Sequence, residues 1–169
     1  MKVVDLGAAP GGWAQVAVRK VLALNPASGA RVIGIDLLDI ETLPGVDFQV
    51  LDFMADDAPD ILKAMLGGKA DMVMSDMAAN TTGHKATDHL RIIGLVEAAA
   101  QFACEVLAPG GTFLAKVFQG GTEGELLKTL KQDYATVRHV KPAASRAESS
   151  ELYVLATGFR GNRGEGSAA

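Results

Sequence analysis

The stretch Val3-Val4-Asp5-Leu6-Gly7-Ala8-Ala9-Pro10-Gly11-Gly12-Trp13 constrains this chain more than any other. An apolar strand breaks into a glycine-rich turn, and the turn runs straight into a helix over Trp13 to Leu24. Glycines let the backbone approach a ligand closely, and a helix start offers unpaired N–H groups. Strand, turn and helix start together read as a nucleotide cradle. The plain alternative is a turn that only joins strand to helix.

The turn also says which nucleotide is unsuitable. A dinucleotide cradle follows G-x-G-x-x-G. Here the first and last glycines, Gly7 and Gly12, are in place, but Ala9 occupies the middle one. Pro10 removes a further N–H donor. A pyrophosphate is therefore disfavoured. A ligand with a ribose and no phosphate, such as S-adenosylmethionine, suits the turn better.

Downstream, apolar runs alternate with helical patterns. Strands are expected at Lys2–Leu6, Arg31–Leu37, Val46–Leu51, Asp71–Ser75, Thr112–Phe118, Thr136–Val140 and Leu152–Thr157. Helices are expected at Asp56–Leu66, from a cap at Asp88 to Leu107, and at Thr122–Lys131, with Ala108-Pro109-Gly110-Gly111 stopping the long one. Met77 to Thr87 reads as a polar loop at a site. The alternation implies an α/β fold with a mostly parallel seven-stranded sheet and helices on both faces. The last two strands lack a helix between them, which implies an antiparallel final strand. We expect one domain over residues 1–158 and a disordered, glycine-rich tail over 159–169. A central strand that opens directly after Met1 leads us to expect further sequence upstream.

At 169 residues the chain is long enough for one sizeable core. A single cysteine, Cys104, excludes an internal disulfide framework and fits a reducing, cytoplasmic compartment. No apolar run is long enough to span a membrane. The net charge of −4 is the wrong sign for nucleic acid, but it is unevenly spread. Five basic and three acidic residues from Arg138 onward give that segment +2, against −6 before it. Asp56, Asp57 and Asp60 read as favourable charges at a helix start, and no metal site is expected there.

In an open parallel sheet, ligands bind beyond the carboxyl ends of the strands. Three strands close on Asp36, Asp52 and Asp76. Asp36 lies where a ribose-hydroxyl acceptor is expected, and a carboxylate can accept both hydroxyls. Asp52 suits an adenine amino group, and Asp76 the cationic end of the ligand. Each could instead be a turn-forming acid. Lys116 interrupts the apolar run Thr112 to Phe118, and lysine is rarely buried without a partner. It reads either as an edge-strand lysine reaching water or as a functional lysine paired with a carboxylate.

These residues carry a resemblance. Asp5 to Trp13, Met74-Ser75-Asp76-Met77-Ala78, Lys116-Val117-Phe118-Gln119-Gly120, and Lys141-Pro142 through Ser145-Arg146 to Glu151-Leu152-Tyr153 occur in the order found in the FtsJ-like 2′-O-ribose methyltransferases. The chain resembles that family up to Gly158. The resemblance implies a Rossmann-like class I methyltransferase fold with S-adenosylmethionine as methyl donor. Gly11, Trp13, Asp36, Asp52 and Asp76 match its cofactor-binding positions. Asp76, Lys116 and Glu151 match three members of a catalytic Lys-Asp-Lys-Glu tetrad. The family's first lysine falls upstream of the first strand, in a segment that also helps to bind RNA, and Lys2 is not its equivalent.

The implied reaction is in-line transfer of the sulfonium methyl to a ribose 2′-hydroxyl, with catalysis mainly by positioning and electrostatics. Lys116 would take the hydroxyl proton or only orient the hydroxyl. The region from Lys141 to Tyr153 is most similar to the bacterial ribosomal members, which implies a uridine of 23S ribosomal RNA in the large subunit as substrate. Arg138, Lys141 and Arg146, with Lys85 and Arg91, would grip RNA phosphates. A monomer is expected. The alternatives are a transfer-RNA ribose methyltransferase, a cofactor-binding domain without catalysis, and a nicotinamide-dependent oxidoreductase, which Ala9 disfavours.

Overall fold

The computed structural model describes residues 1–24, 31–77, 82–118, 123–141 and 151–161. Along the chain run β1 (Lys2–Leu6), α1 (Gly12–Leu24), β2 (Arg31–Asp36), β3 (Val46–Val50), α2 (Ala58–Leu66), β4 (Ala70–Ser75), α3 (Lys85–Val106), β5 (Leu107–Phe118), α4 (Glu123–Asp133), β6 (Tyr134–Val140) and β7 (Glu151–Phe159). The strands form one sheet in the order β3-β2-β1-β4-β5-β7-β6. β1 to β5 pair in parallel, and β7 is antiparallel to both its neighbours. The final strand therefore inserts between β5 and β6 instead of adding at the edge.

The central strands are apolar on both faces because helices cover both. Val4 and Leu6 of β1 join Leu62, Leu66, Val96, Phe102 and Leu130 in the larger core, under α2, α3 and α4. Val3 packs with Ala14, Val21, Val32 and Met74 under α1. Side chains alternate along a strand, so Asp5 shares the α1 face with Val3. Met74 pairs with Leu114 in register, and Lys116 with Tyr153, which puts Lys116 and Tyr153 on the α1 face too. The strand order reverses between β1 and β4, and the crevice at such a reversal is where ligands bind.

Four local expectations are corrected. The long helix starts at Lys85, with His84 as its cap, because His84 Nδ1 takes the Thr87 N–H. Asp88 sits in the first turn and instead accepts the N–H and hydroxyl of Thr82, at 2.7 and 2.8 Å. Ala108 to Gly111 lies within β5. Leu107 already pairs with Ala70, and the register then shifts before Met72 meets Thr112, with Gly110 at φ +85°. β5 lies between β4 and β7, so Lys116 is not on an edge strand. β7 continues to Phe159, which is buried against Tyr134 at 5.4 Å between ring centres. Residues 162–169, the rest of the expected tail, lie outside the described residues. Among the described residues no helix is long and apolar enough to cross a membrane.

Candidate functional site

The glycine turn is tied to the end of β2. Gly7 and Ala8 both donate to the Ile35 carbonyl, at 3.0 and 2.9 Å, and the Ala9 N–H donates to Asp36 Oδ2 at 2.9 Å. Three successive N–H groups are thus used inside the chain, and Pro10 has none. Few donors remain for a phosphate, which agrees with the sequence argument against a pyrophosphate. Gly7 is obligatory: at φ +81° an added Cβ would lie 2.9 Å from the Met77 nitrogen and 3.0 Å from the Asp76 carbonyl carbon. That contact holds the turn after β1 against the loop after β4.

Beyond these loops opens a cavity of about 810 Å³. Gly7, Asp36, Asp52, Asp76 and Met77 line it, with an apolar wall from Leu37, Leu38 and Phe53 and a further side from Arg91, Gly94 and Leu95 of α3. A mostly apolar cleft with a few fixed polar groups is the usual form of a small-ligand site. Asp36 is held on both oxygens, since Oδ1 accepts the Leu38 N–H at 2.9 Å. Each oxygen keeps a lone pair for a ligand hydroxyl. Asp52 Oδ1 accepts the Met54 N–H at 2.9 Å, which fixes the second acid.

Asp76 joins the cavity to a second feature. Its backbone N–H bonds the Leu6 carbonyl at 3.0 Å, and Lys116 Nζ lies 2.7 Å from its Oδ1. The Lys116 side chain is 16% exposed and that of Asp76 29%, so the pair is partly shielded and still open to a substrate. Glu151 opens β7 opposite Phe118, two positions from Tyr153, which stands opposite Lys116. Trp13 does not line the cavity. Its ring packs against Tyr153 at 5.4 Å between centres, next to the lysine. Gly11 stands behind the turn, where a Cβ would meet Leu43 at 2.9 Å.

Val140 pairs with Tyr153, which pairs with Lys116, so Lys141 follows a residue level with the lysine and two strands away. Two strand spacings are about 10 Å. Arg138 is exposed and shares the Lys116 face, being opposite Leu155, which is opposite Leu114. Arg146 lies outside the described residues, as do residues 78–81 of the loop after β4. Lys2 is at the other end of the sheet, where its Nζ donates to the Leu66 carbonyl at 2.8 Å and to Gly67 at 3.3 Å. Burial and nearby Asp133 push the Cys104 thiol up to about 12, so it is no thiolate nucleophile at neutral pH.

The sequence reading passed over Asp5, although an acid inside Val3-Val4-Asp5-Leu6 is the same anomaly that marks Lys116 in β5. Asp5 is completely buried, and neither carboxyl oxygen has a hydrogen-bond partner among the described residues. Burial first, then the charges of Asp76 and Asp36, raise its pKa to about 7. Arg91 as a cavity residue was also missed as such. It was read only as a phosphate contact, because nothing local to a helix reveals that its start leans over a distant strand end.

The family model of the FtsJ-like methyltransferases matches residues 1–159. The chain is 68% identical over 161 residues to ribosomal RNA large subunit methyltransferase E of Xanthobacter autotrophicus, covering 95% of this chain and 63% of the relative. It is 68% identical over 161 residues to the protein of the same name from a Bradyrhizobium species, covering 95% of this chain and 69% of the relative. The chain thus spans about two thirds of the length of these relatives. Among solved structures, it is similar to a Plasmodium falciparum protein described as a ribosomal RNA methyltransferase, with a TM-score of 0.79, 28% identity, and coverage of 95% and 87%. It shares its fold with human methyltransferase-like protein 13, at TM-score 0.59, 11% identity, and coverage of 98% and 73%. A glycine turn with few free N–H donors for a pyrophosphate, three acids at strand ends, and a lysine paired to the third are what the matched residues fold into: the chain belongs to the FtsJ-like methyltransferase family.

Proposed function

We propose that this protein transfers a methyl group from S-adenosylmethionine to the 2′-hydroxyl of a uridine ribose in 23S ribosomal RNA of the large subunit. The observation that carries the reading is the double role of Asp76, which lines the cavity and holds Lys116 Nζ at 2.7 Å. A ligand in the cavity and a hydroxyl at the lysine would then meet across one carboxylate.

The cavity fits the donor in volume and in its polar groups. Asp36 would accept the ribose hydroxyls, Asp52 the adenine amino hydrogens, and Asp76 the ammonium end. When bound, S-adenosylmethionine supplies a methyl on a positively charged sulfur. Asp76 would orient Lys116 Nζ, and Nζ, as the neutral amine, would take the 2′-hydroxyl proton as the oxygen bonds to the methyl carbon and the carbon–sulfur bond breaks, leaving the thioether. Trp13 and Tyr153 wall the lysine on the α1 face, and Glu151, at the start of β7, is the resemblance's remaining catalytic acid. Gly11 supports the turn from behind. Arg138 and Lys141 would hold phosphates beside the reacting nucleotide, within the reach that two strand spacings allow, and Arg146 would add a third basic contact. The reading is of a monomer acting in the cytoplasm, which the single cysteine suits.

The test of substrate class is transfer of labelled methyl from S-adenosylmethionine to unmodified large ribosomal subunits and, separately, to unmodified transfer RNA. The reading predicts label in 23S RNA and background in transfer RNA. Label in transfer RNA alone would replace it with the transfer-RNA alternative.

A further inference from the structure

We propose that Asp5 makes the site favour the cationic methyl donor over the neutral product, through an ionisation that follows the charge of the bound ligand. The inference rests on the methyl-transfer reading above and deepens it.

Asp5 lies on β1 directly below the glycine turn. Asp36 at the end of β2 and Asp76 after β4 flank it, and both line the cavity. Lys116 of β5 pairs with Asp76. From α1, which covers this face, Ala14 and Val21 pack inward, while its charged residues Arg19 and Lys20 are exposed. Asp5 is fully buried, and neither of its oxygens has a hydrogen-bond partner among the described residues. A buried carboxyl beside two carboxylates holds its proton until the surrounding charge becomes more positive. With its pKa raised to about 7 by burial and then by Asp76 and Asp36, it is divided between its two forms near neutral pH.

Donor and product differ by one methyl and one unit of charge. S-adenosylmethionine carries a sulfonium, an ammonium and a carboxylate, for a net charge of one. S-adenosylhomocysteine lacks the sulfonium charge and is neutral. A unit charge about 10 Å away, at an effective dielectric of about 20, moves a carboxyl pKa by about one unit. Donor binding therefore expels part of a proton from Asp5, and product binding expels less. By reciprocity, ionised Asp5 strengthens donor binding more than product binding. Methyl transfer removes the ligand's charge, Asp5 takes a proton back, and the extra hold that ionised Asp5 gave the donor is lost.

The test is calorimetric titration of the protein and of Asp5→Asn with each ligand, at pH 6, 7 and 8, in two buffers of different protonation heat. Asn keeps the shape and cannot ionise. The amino groups of the ligands titrate near the top of this range, so the readout is the difference between the two proteins. In the unaltered protein, the ratio of product to donor Kd should rise by about fivefold from pH 6 to pH 8 beyond its change in Asp5→Asn. Near pH 6.5 the donor should release about half a proton more than the product does. If Asp5→Asn does not fold, this difference in proton release by the unaltered protein decides alone. Equal proton release by both ligands, or the same pH dependence in both proteins, overturns the proposal while leaving the methyl-transfer reading intact. Failure of the donor to bind overturns both.

Discussion

Lys116→Ala should lower methyl transfer by about 10² to 10⁴, with S-adenosylmethionine binding changed by less than about threefold. General-base catalysis contributes a factor of this size, and the variant removes the only group here assigned to take the hydroxyl proton. Binding should survive because Lys116 does not line the donor cavity, whereas Asp76 does. Asp76 loses its ion-pair partner but is 29% exposed, so water can solvate it and the fold should hold. Single-turnover methyl transfer and direct ligand titration separate the two effects. Transfer within threefold of the unaltered rate would remove the lysine from the mechanism. An equal loss of binding and transfer would make it a ligand-holding group.

The largest expected effect on stability comes from Asp5→Asn. The folded state holds the Asp5 proton up to about pH 7, whereas the unfolded chain gives it up near the ordinary 3.8. Because the folded pKa is raised, the stabilising contribution is complete below 3.8 and is lost as pH rises through about 7. The interval is about three pKa units, or about 4 kcal/mol. Asparagine has no such pH dependence, and every other titrating group is common to both proteins. The stability of Asp5→Asn relative to the unaltered protein should therefore improve by about 4 kcal/mol between pH 4 and pH 7.5. For a chain of this size that amounts to about 10 °C in Tm. Denaturant unfolding of both proteins at several pH values measures it. A difference that stays constant with pH would mean that Asp5 is ionised throughout, against its burial.

Much of the site was legible before the fold was known, for reasons that differ residue by residue. Lys116 stood out because a charged side chain in an apolar strand needs a partner, and the partner is Asp76 as one of the two readings required. Asp36, Asp52 and Asp76 were found because parallel strands present their carboxyl ends to one side, where strand order reverses. Asp5 carried the same anomaly as Lys116 but was absorbed into the glycine motif beside it. The insertion of β7 between β5 and β6 could not be read, because strand order depends on pairing between distant segments. The contact between Trp13 and Tyr153 was hidden for the same reason, so the resemblance offered Trp13 only as a cofactor-binding position. At the start of α3, Asp88 and His84 are both plausible caps, and only the position of Thr82 decides which one serves.

The most direct measurement is the chemical position of the transferred methyl. Large-subunit RNA labelled by this protein from S-adenosylmethionine is digested to nucleosides, and the label is assigned to sugar or base. Attack by a ribose hydroxyl at Lys116 predicts that the label is recovered as a 2′-O-methylnucleoside, 2′-O-methyluridine in particular. Label on a base would contradict the account, because neither Lys116 nor Asp76 would then have the hydroxyl proton on which their roles depend.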